Sequence, residues 1–484
     1  MITNYVLRLQ PLLRRSLSIM TTLPATSTLP SMAAATTAAT SPLSSTHQES
    51  ADNGKVPHVP IPLRGADYRG KVVLAPMVRS GELPSRLLAL HYGADLVWGP
   101  ETVDRSMIGT TQKTNPRTGC LEWSRVSNNK QHTNADQAPR ESIIFRIDPK
   151  RESEKLIYQI GTASPDLAVQ SASLVAPYVK GIDVNAGCPK PFSTGGGMGA
   201  ALLRTPDRLC DILRALIRDV GTPNEIGISV KIRLLETPEM TSELVNKLCK
   251  TGITGLTIHC RTTPMRPRER AIRQQLHMIA DICRSHGVAC LMNGDVASRE
   301  EGVRLAEEFG VDGAMIATAA EANSSVFRRQ EEGGLAPWRE VVHEYMKYAL
   351  SVENKFGNTK FLLSQLMPGK DASYQRVTMS KSYVQVLKAL DLTDPGMVKH
   401  AEEIDHILEL DAQKVTKRDV KRENKQQNRE RHEKKPQRKR GLERVDDAQS
   451  RPGSQERSRK QKAEIAAENA DFDGVGQGTM AVAA

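Results

Sequence analysis

The sequence predicts an α/β protein in which a closed (β/α)8 barrel is followed by a small α-helical domain. Short apolar runs alternate with longer amphipathic segments eight times in succession, which is typical of parallel strands joined by crossover helices. Beyond Gly333, Gly334 and Pro337, the apolar residues keep only the helical period. An open doubly wound sheet would also give this alternation, but eight regular units in a row favour closure.

The eight barrel strands are expected at 72–75, 95–98, 156–160, 182–184, 228–232, 256–258, 289–292 and 313–316. Helical periodicity occurs between most of them, near 83–90, 165–179, 206–219, 239–250, 271–286 and 299–309. A longer polar excursion follows the second strand over 104–140, and an added edge strand is expected at 143–147. Helices at 338–354, 358–367 and 380–390 would form the helical domain. The predicted regions are a leader (1–66), the barrel domain (67–332), the helical domain (333–411) and a basic tail (412–484).

Both ends of the chain have the composition of disordered segments. The first 48 residues contain no Asp or Glu but carry Arg8, Arg14 and Arg15, which is typical of a mitochondrial transit peptide. A disordered leader without a targeting role fits the same composition, so a cytoplasmic or nuclear location and mitochondrial import all stay open. Between Lys414 and Lys462 there are 19 basic and 8 acidic residues, an excess equal to the net charge of +11 of the whole chain. The basic character therefore belongs to the tail.

The remaining composition argues against several classes of protein. Seven cysteines are scattered without a CxxC pair, which indicates reduced thiols and neither a disulfide framework nor a zinc site. No apolar run approaches the roughly 18 residues that a membrane span needs. We therefore expect neither a metal nor a membrane among the partners. The oligomeric state does not follow from the sequence, and the expected state is a monomer.

Polar residues recur where the predicted strands end, and this rim carries the function of a (β/α)8 barrel. Lys231 is informative because it lies between Val230 and Ile232 in a strand that should be buried, where lysine is rare without a partner. Cys188 follows the fourth strand and precedes a glycine-rich loop, a position suited to a reactive thiol. Each of these positions taken alone would, in most cases, fit an ordinary core or turn residue. The prediction of a functional site therefore depends on all of them lying at one rim of the barrel. The other rim positions are Pro76, Met77, Val78, Gln159, Asn185, His259, Asn293, Gly294, Asp295, Ala317 and Thr318.

The chemistry of these side chains suits a planar ring with several carbonyl groups, such as a flavin. Gln, Lys, His and Asn supply hydrogen-bond donors, and a cation near one edge stabilises the reduced ring. Glycine and backbone N–H groups after the seventh and eighth strands suit a phosphate. No GxGxxG run follows the first strand, so a Rossmann dinucleotide site is not expected.

Several runs of this chain resemble the tRNA-dihydrouridine synthase family. They are APMVR (75–79), GIDVNAGCPK (181–190), GGMGAALL (196–203), SVKIRLL (229–235), IHCR (258–261) and NGD (293–295). CPK followed at this distance by GGMGAALL is a specific signal, whereas NGD or APM alone would be weak. The run NTKFLLSQLM (358–367) is similar to the eukaryotic branch that modifies uridine 20 of the D loop. The similarity covers residues 72–390.

The resemblance implies an enzyme that uses FMN and NADPH to reduce the C5=C6 bond of a uridine in tRNA. It implies that Cys188 is the general acid that protonates C5, since a thiol with a pKa near ~8.5 is mostly protonated at neutral pH. Asn185 and Arg261 would contact the substrate, and the helical domain would supply a second wall of the tRNA cleft. The FMN would be held by Pro76, Met77, Val78, Gln159, Lys231, His259, Asn293, Gly294, Asp295, Ala317 and Thr318.

Two positions depart from the family pattern. The family often has Lys where this chain has Gly195, and it commonly has Arg where this chain has Thr318. The first change removes a cation beside the catalytic loop. The second replaces a phosphate clamp by a hydroxyl and backbone amides, which complement the charge less well.

Some members of the family carry a double-stranded-RNA-binding domain after the helical domain, and none is recognised here. The basic tail would attract the RNA backbone in its place, although a solvated tail or a nuclear localisation signal at 434–440 fits the same charge. Two further functions stay open. One is an FMN barrel that acts on a free pyrimidine, as a dihydroorotate dehydrogenase does, and the other is a barrel that binds RNA without catalysis.

Overall fold

The computed structural model describes residues 59–126, 141–266 and 268–410. Most of the predicted leader and the basic tail lie outside these ranges. The strands are β1 (Lys71–Leu74), β2 (Val97–Trp98), β3 (Thr102–Val103), β4 (Thr111–Thr114), β5 (Leu121–Val126), β6 (Glu141–Ile147), β7 (Leu156–Gly161), β8 (Gly181–Ala186), β9 (Gly227–Arg233), β10 (Gly255–His259), β11 (Ala289–Asn293) and β12 (Gly313–Ile316).

Nine of these strands form one parallel sheet that closes on itself. Their order is β2-β1-β12-β11-β10-β9-β8-β7-β3, and β2 also pairs with β7. Val97 closes the barrel because it lies opposite both Leu74 and Leu156. Further along β7, Ile160 pairs with Thr102 of β3, so β2 and β3 are two parts of one barrel strand. The predicted (β/α)8 barrel is confirmed.

A separate antiparallel sheet, in the order β4-β5-β6, occupies the region that the sequence presented as a polar excursion. The added strand predicted at 143–147 exists as β6, but it pairs with β5 and makes no ladder with the barrel. Two strands of this sheet were missed. Strand β4 reads TQKT and is exposed at all four positions, so it has no apolar alternation to reveal it.

The helices are α1 (Leu83–His91), α2 (Asp104–Met107), α3 (Pro165–Ser173), α4 (Pro191–Thr194), α5 (Pro206–Leu216), α6 (Thr222–Asn224), α7 (Pro238–Cys249), α8 (Leu276–Ser285), α9 (Arg299–Phe309), α10 (Thr318–Ala322), α11 (Trp338–Ser351), α12 (Phe356–Leu366), α13 (Ala372–Met379), α14 (Tyr383–Ala389) and α15 (Pro395–Ile407). Three crossover helices begin where a hydroxyl caps the first turn, because Ser164, Thr237 and Ser298 each accept a backbone N–H three residues on. The helix predicted over 271–286 begins later, at Leu276, and α13 and α15 were not predicted.

The amino-terminal end of the barrel is filled by apolar side chains. Tyr68 is buried there, with its ring centroid 5.8 Å from that of Trp98. A Cβ atom at Gly255 would lie 2.6 Å from the Tyr68 ring, so only glycine leaves room for this ring. Val73, Leu291 and Met315 belong to the same buried cluster. A ligand of the barrel must therefore bind at the opposite, carboxyl-terminal rim.

Helices α11 to α15 form the helical domain that follows the barrel. Its core contains a hydrogen-bond network in which Tyr383 Oη donates to the Asn354 carbonyl at 2.7 Å and Asn354 Nδ2 donates to Thr359 Oγ1 at 2.9 Å. The helical domain is therefore confirmed, while its predicted bounds at 333 and 411 stay predictions. Within the described residues, no helix combines the length and apolarity that crossing a membrane requires.

Candidate active site

The predicted site residues lie at the carboxyl ends of neighbouring barrel strands. Asn185 of β8 is in register with Lys231 of β9, and His259 of β10 is in register with Asn293 of β11. One layer deeper, Gln159 of β7 pairs with Asp183 of β8. Because the strands are parallel and consecutive in the barrel, these residues belong to one rim.

Hydrogen bonds on both sides hold the backbone around Cys188. Asn185 Oδ1 accepts from the N–H groups of Gly187 and Cys188, each at 3.0 Å, and the Cys188 carbonyl accepts from the N–H of Ala200 at 2.9 Å. Arg233 Nε donates to the Gly187 carbonyl at 2.8 Å. The turn after β8 is thereby tied to β9 and to the segment that returns from the glycine-rich loop.

The segment that returns from the glycine-rich loop to the Cys188 backbone requires a glycine at position 199. Its φ is +57°, and a Cβ atom at this position would lie 2.4 Å from Ser193 Oγ and 2.6 Å from the Cys188 carbonyl oxygen. An L-residue would be strained there by its conformation and by these contacts. The loop therefore packs tightly against the backbone of Cys188.

Cys188 is the one cysteine of the seven that is partly accessible, since the other six are buried. Burial raises the pKa of its thiol, the Lys190 backbone lowers it, and the charge of Glu101 raises it again, with a net increase. The thiol is therefore protonated at neutral pH. It can act as a proton donor and is not an activated thiolate nucleophile.

Asp183 and Lys231 are ionisable groups inside the barrel. Burial raises the pKa of Asp183 to about 6, while Gln159 and Ser229 donate hydrogen bonds to the carboxylate at 2.8 and 2.7 Å. Burial lowers the pKa of Lys231 to about 8, and Arg233 lowers it further. Lys231 is partly accessible, and its Nζ atom makes no hydrogen bond within the described ranges, so it can donate to a ligand.

His259 lies beside a cluster of arginines and is neutral. Burial, and then the charges of Lys231, Arg233 and Arg261, lower its pKa to about 2. Its Nε2 atom lies 3.3 Å from Arg261 Nη1. Because a guanidinium only donates, Nε2 of the neutral ring accepts from Arg261, and the protonated Nδ1 is the donor that remains for a ligand.

Arg261 is buried in contacts with the loop after β11. Its Nη2 atom lies 2.5 Å from Asp295 Oδ1, and its Nε atom donates to the Glu269 carbonyl at 2.7 Å. These contacts place Arg261 between His259 and Asp295. The predicted contact of Arg261 with a substrate stays a prediction.

The remaining predicted residues lie on the rim near β1, β11 and β12. Met77 packs against the apolar cluster inside the barrel, whereas Val78 and Thr318 are exposed. Asn293 Nδ2 donates to the Met315 carbonyl at 2.9 Å, which fixes the Asn293 side chain against β12. Pro76 is partly accessible after β1, Gly294 has a φ of +124°, and Ala317 is partly accessible before α10.

Four residues of the site were missed from the sequence. Asp183 and Arg233 lie in barrel strands between apolar residues, which is the signal that identified Lys231. Glu101 follows β2 and accepts from Ser193 Oγ at 3.0 Å, and burial raises its pKa. Arg273 donates to the Asp295 carbonyl at 2.7 Å, and its buried Nε atom has no acceptor in the described part of the chain. Neither Glu101 nor Arg273 belongs to a recognisable run.

The rim thus combines a protonated thiol, an accessible ammonium group and a neutral imidazole in one place. This set can bind a planar polar ring and donate a proton to a second molecule beside it. Among residues 59–126, 141–266 and 268–410, no group of three or more His, Cys, Asp or Glu side chains has the arrangement of a metal site.

Comparison with known proteins gives consistent matches. Residues 73–386 match the family profile described as Dihydrouridine synthase. A tRNA-dihydrouridine(20) synthase (NAD(P)+) of Schizosaccharomyces pombe is 48% identical over 331 residues, which are 67% of this chain and 66% of that protein. The protein of the same name from Saccharomyces cerevisiae is 45% identical over 337 residues, 68% of this chain and 85% of that protein.

A third relative acts as a contrast. It is a tRNA-dihydrouridine(20a/20b) synthase (NAD(P)+) of Schizosaccharomyces pombe, 28% identical over 66% of this chain and 86% of that protein. This chain spans just under two thirds of the length of its Schizosaccharomyces pombe tRNA-dihydrouridine(20) synthase relative. The family profile and the identity to the two yeast proteins agree, and the chain belongs to the dihydrouridine synthase family.

Proposed function

We propose that this protein reduces the C5=C6 bond of uridine 20 in the D loop of tRNA, giving 5,6-dihydrouridine, with FMN as cofactor and NADPH as reductant. Membership of the family supports the reaction, and the names of the relatives support the use of NAD(P). Position 20 is favoured because identity is 45–48% to the two synthases named for that position and 28% to the one named for 20a/20b. The structural observation that carries the proposal is the protonated thiol of Cys188 on the rim that also bears Lys231 and His259.

The residues present fit a flavin. Lys231 Nζ and neutral His259 can donate to ring carbonyls, and Gln159 lies beneath them in the barrel. We propose that these three residues, with Pro76, Met77 and Val78, hold the ring. Asn293, Gly294, Asp295, Ala317 and Thr318 would surround the ribityl chain and the phosphate.

Arg273 would compensate for the absence of arginine at position 318. Its guanidinium lies against the carbonyls of Gly294 and Asp295, and its buried Nε atom has no acceptor within the described residues. The negative charge of Asp295 is paired with Arg261, which forms a salt bridge with the Asp295 carboxylate and helps to lower the pKa of Asp295. The rim on this side therefore keeps a positive charge that a phosphate can use.

FMN held by these residues and reduced by NADPH would supply the hydride for C6 of the uracil ring. The electron pair of the C5=C6 bond then becomes available at C5, and Cys188 Sγ gives its proton there, leaving a thiolate. The high pKa of this thiol keeps the proton in place until it is needed. Asn185 positions Cys188 by accepting its N–H, and we propose that it also contacts the base.

The Cys188→Ala variant tests the proposal. We expect it to retain FMN and tRNA binding but to form dihydrouridine at least ~100-fold more slowly, the lower range for the loss of a general acid. Single-turnover reduction of tRNA measures this rate. The matched control is Cys210→Ala, which removes a buried thiol from α5 and should keep normal turnover. Near-normal turnover by Cys188→Ala would remove Cys188 from the mechanism.

A further inference from the structure

Asp183 lies fully buried inside the barrel, and both of its carboxylate oxygens are hydrogen-bonded. Gln159 Nε2 donates to Oδ2 at 2.8 Å and Ser229 Oγ donates to Oδ1 at 2.7 Å. At pH 7.5 the carboxylate is ionised, because burial raises its pKa only to about 6. An ionised carboxylate only accepts hydrogen bonds, so it must face the nitrogen of the Gln159 amide.

This orientation leaves the carbonyl oxygen of Gln159 as the group available to a ligand. Within residues 59–126, 141–266 and 268–410, no group donates to Gln159 Oε1. Gln159 is 1% exposed, and its Oε1 atom is not among the fully buried polar atoms that lack a partner, so this oxygen is open to the site and would accept from an N–H group of a ligand there.

Lys231 gives the same part of the barrel a donor. It lies two residues after Ser229 in β9, so both side chains point to the barrel interior. The negative charge of Asp183 favours the charged form of Lys231 and opposes the effects of burial and of Arg233. One carboxylate therefore acts on both the acceptor Gln159 and the donor Lys231.

We propose that Asp183 is a positioning residue that sets the polarity of the cofactor site, by turning the Gln159 oxygen towards the ligand and by supplying the counter-charge of Lys231. The ligand class that fits is a planar ring with an imide edge, in which an N–H lies between two carbonyl groups. Gln159 accepts from the N–H, and Lys231 donates to a carbonyl. This inference rests on the proposed function, since the flavin ring has such an edge.

The test compares FMN with its N3-methyl analogue in titrations of the wild-type apoprotein at pH 7.5, followed by flavin fluorescence. The methyl group removes the N–H and leaves the Gln159 oxygen unsatisfied, so we expect FMN to bind about tenfold more tightly or better. In Asp183→Asn, the new amide can donate to Gln159 Oε1, and the Gln159 amide can turn. The preference for FMN should then fall to about twofold or less.

The midpoint potential of bound FMN gives a second readout. If Asp183 only supported the fold, replacing it would not shift this potential in a defined direction. Asp183→Asn removes a negative charge near a ring whose reduced form is anionic, so the potential should rise when it is measured at pH 6.5, well below the pKa of about 8 of Lys231. Ser229→Ala is the matched control, because it loses one hydrogen bond to the same carboxylate and keeps its charge. It should retain the preference for FMN, with a potential close to that of the wild type.

Equal affinity of the wild-type protein for the two flavins would overturn the inference, even if Asp183→Asn did not fold. An unchanged preference together with an unchanged potential in Asp183→Asn would also overturn it. These outcomes leave the proposed function intact, since FMN still binds. A wild-type protein that binds neither flavin would instead overturn the proposed function, and this inference with it.

Discussion

Lys231 carries the positive charge of the proposed flavin site, and its place inside the barrel makes that charge sensitive to pH. Burial lowers the pKa of Lys231 to about 8, so the ammonium group is present below this pH and is lost above it. His259 has a pKa of about 2 and stays neutral throughout the usual pH range. The pH dependence of ligand binding near pH 8 should therefore come from Lys231.

We expect the affinity of the apoprotein for FMN to fall about fivefold or more as the pH rises through about 8, because a charged donor is replaced by a neutral amine. Titrations of the apoprotein between pH 7 and 9.5, followed by flavin fluorescence, measure this change. Lys231→Gln should bind FMN more weakly at pH 7 and show no such step. An affinity of the wild type that does not change with pH in this range would contradict the role given to Lys231.

Sequence reasoning found Lys231 and Cys188 but missed Asp183, although the signal was similar. Asp183 lies between Ile182 and Val184 in a buried strand, as Lys231 lies between Val230 and Ile232. Its importance depends on which neighbours the register brings to it, namely Gln159 and Ser229. A single strand cannot reveal such partners, because they belong to other segments of the chain.

At the scale of elements, the glycine-rich loop between β8 and α5 is the part on which the proposed chemistry depends most. Met198, Gly199 and Ala200 return the chain to Cys188, and Gly199 does so with a positive φ and no room for a side chain. The composition of the loop was readable in the sequence. The sequence did not show which glycine of the loop faces the Cys188 backbone.

Gly199→Ala tests this assignment. The strain of a left-handed alanine is about 1–2 kcal/mol, and its Cβ atom would displace Ser193 or the Cys188 carbonyl. We expect turnover to fall by at least ~10-fold while FMN remains bound, because a small displacement of a catalytic group costs much of its effect. Gly196→Ala is the control, since its nearest neighbour is the flexible tip of Met198 at 3.3 Å. Wild-type turnover by Gly199→Ala would contradict the tight packing of the loop.

Elements with strong periodicity were predictable, and elements without it were not. The barrel strands are apolar runs, and α11 buries Val341, Val342, Tyr345 and Met346 on one face. In contrast, β4 is exposed throughout, and the buried side chains of α13 include only Ser373 and Val377. Tertiary contacts, and not the local pattern, stabilise such elements.

At the scale of the whole molecule, polar contacts attach the helical domain to the barrel beside the rim. Asn358 Nδ2 donates to Glu82 Oε1 at 3.2 Å, and the Arg79 guanidinium lies 4.0 Å from the centroid of the Phe361 ring. Arg79 follows Pro76, Met77 and Val78, which we propose to line the flavin ring. The start of α12 therefore lies next to the proposed site, where the helical domain would form the second wall of a tRNA cleft.

The basic tail lies outside the described residues, and its role is a prediction from charge. Truncation after residue 410 should weaken tRNA binding and reduce the steepness with which the affinity falls as salt rises, because fewer counterions are released. Binding assays over a range of salt concentrations measure this slope. Truncation after Lys462 is the matched control, since the 22 residues it removes contain no Lys or Arg. Equal slopes for the two truncated proteins would contradict a role of the tail in RNA binding.

The most direct measurement is a map of dihydrouridine at each position of tRNA from cells that lack this protein. We predict that dihydrouridine is lost at position 20 and kept elsewhere, that the wild-type protein restores it, and that Cys188→Ala does not. Unchanged dihydrouridine at position 20 in the deletion strain, or full restoration by Cys188→Ala, would contradict it.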